Sequence, residues 1–128
     1  MRAKLPPPPN PLESYRAAAS ANPQSAEAHT NLGWGLYGQK QLAEAVKAFQ
    51  EAIRLDAQSF EAHYGLGLTH KAAGAKVEAE AAFRAAHDLT GQLENPARGQ
   101  MLKHLLHAHI NQLTTGDWGL DQELHLHV

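Results

Sequence analysis

Nine histidines in a chain without cysteine are the first residues to weigh for chemistry. His104 and His107 stand at i, i+3, and His125 and His127 at i, i+2. Four imidazoles in two such pairs would bind zinc, nickel or copper if the segment carrying the second pair folded back on the helix carrying the first. Neither cysteine nor an acidic cluster accompanies them, so exposed histidines are expected, with no metal and no cofactor. His29 and His63 recur in matching surroundings 34 residues apart. They are expected to be buried and hydrogen-bonded. His109 falls among apolar neighbours at helical spacing and is expected to be a partly buried structural residue.

Other chemistry finds little support. Gly33-Trp34-Gly35 lies inside a helical pattern, where a glycine-rich phosphate cradle cannot form. Glu44 and Glu78 resemble a carboxylate pair only by their recurrence. Each opens a helix, where negative charge complements the helix dipole. The serines are few, and none forms a plausible nucleophile set with a nearby histidine and carboxylate. The chain is expected not to be an enzyme.

The elements that would position these residues repeat. Residues 26–59 laid over 60–93 match at twelve positions, among them Glu27/Glu61, His29/His63, Leu32/Leu66, Gly33/Gly67, Ala45/Ala79, Phe49/Phe83 and Ala52/Ala86. A fixed period of this length marks stacked units that cannot bury their apolar faces alone. Each unit reads as two helices, 26–38 and 42–55 in the first, with Ala28, Leu32 and Leu36, then Leu42, Ala45, Phe49 and Ala52 at helical spacing. Gln39-Lys40-Gln41 leaves room for a tight turn, and Gly74 occupies the same turn in the second unit. Short connections make the helices antiparallel neighbours. Gly33 and Gly67 allow close approach, and Phe49 and Phe83 fill the space above them.

The pattern extends partly beyond these units. A helix from about Leu12 ends at Asn22-Pro23. Tyr15 and Ala18 precede Phe49 and Ala52 by one period, so this helix reads as half a unit. Before it, Pro6–Pro9 favour an extended polyproline arm over 1–11. After Gly91 the period fails. Asn95 as N-cap and Pro96 at the first helical position open a helix over 96–114. Leu102, Leu105, Leu106, Ile110 and Leu113 form its apolar stripe, which would cap the stack. Residues 115–128 form a tail that alternates at Leu124–Val128. The expected architecture is all-α, an antiparallel helix-hairpin solenoid forming one domain over 12–114. The 11 basic and 13 acidic residues nearly balance, giving no footprint for nucleic acid. Without a secretory apolar region or a membrane-length run, a soluble cytoplasmic protein with no membrane contact is expected.

The order Leu32-Gly33, Ala45, Phe49, Ala52, repeated as Leu66-Gly67, Ala79, Phe83, Ala86, resembles the tetratricopeptide repeat. Two features depart from that family: His29 and His63 stand where a bulky aromatic is usual, and the repeat-end proline survives only as Pro23, with Ala57 and Gly91 in later copies. The resemblance implies a concave groove, lined by the first helix of each unit, that grips a peptide or partner protein. Carried onto this sequence, its lining is Glu27, Thr30, Asn31, Trp34 and Tyr37, then Glu61, Tyr64, Leu68 and Lys71. The subclass that grips a terminal carboxylate does so with basic groove residues, and that pattern is missing here. An apolar or proline-containing peptide suits the aromatic lining better. Two alternatives accompany this reading: a self-associating module, such as a homodimer, whose groove is filled by its own terminal segments, and a histidine-based metal-binding protein.

Overall fold

The computed structural model describes residues 11–92 and 95–115, six α-helices joined by short turns. They are α1 Pro11–Ala21, α2 Ala26–Gly38, α3 Leu42–Leu55, α4 Phe60–Ala72, α5 Lys76–Leu89 and α6 Pro96–Thr115, with a single 3-10 turn at Thr90–Gln92. Among the described residues there is no strand. The proline arm and the alternating tail lie outside the described residues.

Two serines set the first helix of each unit. Ser25 and Ser59, one period apart, adopt extended backbone, and their hydroxyls accept from the Ala28 and Ala62 amides at 3.1 and 3.2 Å. Such caps contribute about 1 kcal/mol each. The α2–α3 and α4–α5 turns are also one motif. Lys40 and Gly74 take φ of 59° and 81°. The amides that follow them, Gln41 and Ala75, return to the Leu36 and His70 carbonyls at 2.9 Å. This is a left-handed helix stop. Glycine suits it at position 74; lysine must tolerate it at position 40.

Within each unit the two helices pack against one another, and α3 against α4 joins the units. Phe49 and Phe83 are fully buried. A methyl at Gly33 would sit 2.7 Å from the Phe49 ring and one at Gly67 2.6 Å from Phe83, so the glycines make the crossings possible. Gly65, which has no counterpart in the first unit, faces Phe49 from the other side, where an added methyl would sit 2.4 Å from the ring. The Phe49 ring is therefore held between α2 and α4 and joins the two units.

The outer helices depart from the repeat register. Tyr15 packs at Gly35, and on α1 it is Ala19 rather than Ala18 that is buried. Position 31, the equivalent of Gly65, is asparagine and leaves no gap, so the ring seats one helical turn further along α2. On α6, Leu106 and Ile110 join Ala79, Phe83 and Ala86 in the second core cluster, with Leu113 partly buried beside them. Leu105 does not belong to this stripe: it is 39 % exposed, because it points a quarter turn away from Leu106.

Candidate functional site

The first helices bring the aromatic residues together. Trp34 meets Tyr37 edge-on at 6.1 Å on its own helix and Tyr64 of α4 at 6.4 Å. Beneath it lies Phe49 at 5.2 Å, nearly perpendicular. Tyr64 stacks on Phe60 at 5.8 Å and continues to His109 of α6 at 6.0 Å. Tyr37, Trp34, Tyr64 and His109 thus form one ladder across α2, α4 and α6. Trp34, Tyr37 and Tyr64 are half-buried, each with its inner edge on the core and part of its surface open. Burial raises the Tyr64 hydroxyl pKa, with a smaller contribution from Tyr37.

Of the remaining lining residues, Glu27, Asn31 and Glu61 are exposed and Leu68 is partly buried against the second cluster. Thr30 is a correction. It is 3 % exposed, and its hydroxyl donates to the Ala26 carbonyl at 2.8 Å, so it is an interior residue offering no groove surface. A hydroxyl short enough to bond its own helix can be buried at no loss of hydrogen bonding.

Lys71 is joined to α6. Its ammonium donates to Nδ1 of His109 at 3.1 Å and to the Gln112 side-chain oxygen. His109 is 6 % exposed and stacks on Phe83 at 4.8 Å, with the ring planes 13° apart. Burial, and then the Lys71 charge, lowers its pKa to about 4. The imidazole is therefore neutral, with Nδ1 as acceptor. Burial also lowers the Lys71 pKa.

The other histidines have different surroundings. His29 and His63 are half-exposed rather than buried. Their Nε2 atoms donate to the Pro23 and Ala57 carbonyls at 3.0 and 2.9 Å. Where the family usually has a bulky aromatic, these imidazoles tie each first helix to the turn before it. His104 and His107 are exposed and line a cleft between α5 and α6 with His87, Gln100 and Lys103. Among the described residues no group of three histidine, aspartate or glutamate side chains is disposed to hold a metal. His125 and His127 lie outside the described residues.

Sequence patterns gave no sign of Phe60, Gln112 or the stacking role of His109 in this arrangement. His109 carried a partial signal, since it shares a helical side with Leu102, Leu106 and Leu113. Phe60 has Ala26 as its equivalent in the first unit, so the repeat hid it.

Paired antiparallel helices, packed at a fixed period with their first helices side by side, define a helical-repeat solenoid. The family model for the TPR repeat matches residues 35–74, from the middle of α2 to the turn after α4. Over that stretch the chain carries the tetratricopeptide repeat. Repeats of this family mediate protein–protein interaction and are in general non-enzymatic. No curated protein matches the chain. Among the described residues no helix is long and apolar enough to cross a membrane.

Proposed function

We propose that this protein is a non-catalytic cytoplasmic adaptor that binds a peptide segment of a partner protein across the first helices of its repeats. The observation that carries this reading is the half-open ladder of Trp34, Tyr37 and Tyr64. Trp34 packs on Phe49 and Tyr64 on Phe60 and Phe83, Tyr37 rests edge-on against Trp34, and each ring keeps part of its surface accessible. Pre-ordered aromatics provide contact area with little rotamer entropy left to lose, the composition of binding hot spots.

The surroundings of the ladder favour one class of ligand. Glu27, Asn31 and Glu61 are exposed near the starts of α2 and α4, while Leu68 and Lys71 stand toward the end of α4. Lys71 already serves Gln112 and His109, so the site does not present the free basic cluster that would grip a terminal carboxylate. An apolar segment, including one containing proline, matches the ring faces.

Replacing Trp34 and Tyr64 together with alanine should abolish capture of the partner from the source lysate, while circular dichroism shows retained helicity. Undiminished capture by the folded double variant would remove the groove from consideration. Sedimentation of the wild type separates the competing homodimer reading. A mass of one chain at working concentration rules that reading out.

A further inference from the structure

α6 has a second apolar side that the stack does not use. Met101 is 65 % exposed and Leu105 39 %. Together with Ala108 they follow a four-then-three spacing, which places all three on one side of the helix. Arg98 precedes this seam and Gln112 follows it at the same spacing. Apolar residues in such a 3–4 alternation form a seam along which another segment packs.

The charge around the seam is one-sided. From Asn95 to Thr115 there is no aspartate or glutamate; Arg98 stands at the start of the seam, and Lys103 lies on the opposite side of the helix. At the far end, the Lys71 ammonium bonds Gln112. A second copy of α6 would bring no counter-charge to this surface. An acidic, apolar segment would. The sequence supplies one directly after α6: residues 117–128 contain Asp117, Asp121 and Glu123 among Trp118, Leu120, Leu124, Leu126 and Val128. These residues lie outside the described structure, and their composition is read from the sequence.

We propose that the Met101–Leu105–Ala108 side of α6 is the docking surface for the chain's own residues 117–128. Trp118 and the leucines would cover the seam, and the carboxylates would match Arg98 and Lys71. Reach permits it. Thr115 to Arg98 is about 25 Å along a helix, and twelve residues span up to roughly 40 Å when extended. Docking here closes the apolar end of the stack, as solenoid termini require. It shares only Lys71 with the α2–α4 groove.

The chain has two tryptophans, so Trp34→Phe leaves Trp118 alone as the reporter. In the folded full-length variant, Trp118 emission should lie to the blue of the same chain in urea, with acrylamide quenching several-fold weaker. Adding Met101→Glu and Leu105→Glu should return both signals to their unfolded positions while helicity persists. The wild-type minus Trp118→Phe difference spectrum gives the same reading with Trp34 intact. Equal quenching in folded and unfolded chains overturns the proposal, and so does a protected Trp118 that is indifferent to the α6 substitutions. Protection lost on dilution, in step with dissociation of a dimer, overturns it as well, because the occupant would then come from another copy. Partner capture through Trp34 and Tyr64 is read separately, so failure of one proposal leaves the other standing.

Discussion

His109 shows how one residue can link stability to acidity. Its imidazole stacks on Phe83 and accepts from Lys71. Protonation would therefore place a buried cation beside an ammonium. Its pKa in the folded chain is about 4, below the ordinary histidine value. Between about pH 6.5 and 4 the unfolded chain binds a proton that the folded chain refuses, so stability falls as pH falls through that window. Above it the contribution is complete; below it there is no further loss. The effect should be on the order of 2 kcal/mol, since the Lys71 end of the ring is only part-buried. Urea titrations across this range should show the slope for the wild type and a flatter line for His109→Phe, which keeps the stack and removes the proton. A slope unchanged in the variant would assign the acid sensitivity to other groups.

At the scale of elements, the two helix stops make a controlled comparison. The same left-handed turn is made by Gly74 in one unit and Lys40 in the other. A side chain in that conformation costs roughly 1 kcal/mol, partly offset by the greater freedom glycine has when unfolded. Lys40→Gly should therefore raise stability by about 0.5–1 kcal/mol, and Gly74→Ala should lower it by about 1 kcal/mol. Denaturant midpoints measured at constant slope would check both. Gly74 was legible in the sequence as a helix stop because glycine announces the backbone it permits. Lys40 was legible only as part of a short turn. The Ser25 and Ser59 caps were present in the repeat, though a serine becomes a cap only when its backbone leaves the helix.

For the whole molecule, stability is divided among neighbours rather than concentrated in one centre. The described core forms two clusters, one around Phe49 and one around Phe83, with Phe49 also touching the second unit through Gly65. In such a stack, a lesion at one end should loosen that end first. Leu106 is fully buried against the Phe83 cluster, and Leu106→Ala should cost about 2–5 kcal/mol. Native-state hydrogen exchange should show faster exchange in α5 and α6, with α2 and α3 retaining most of their protection. Uniform loss across all helices would mean the chain unfolds as a single cooperative unit.

The sequence by itself determined the helices, their antiparallel pairing and the glycine–phenylalanine crossings. Each of these depends on spacing within about one repeat, and spacing is what a sequence records. Trp34, Tyr37 and Tyr64 were named only through the resemblance to the tetratricopeptide repeat, which assigns the groove to the first helices. Only the tertiary structure decided that Thr30 turns inward, that Tyr15 seats at Gly35, that Leu105 leaves the apolar stripe, and that His109, Lys71 and Gln112 converge. Those outcomes depend on how one helix rotates against the next. A rotation of one residue, about 100°, moves a side chain from core to surface while leaving the periodic pattern in the sequence unchanged.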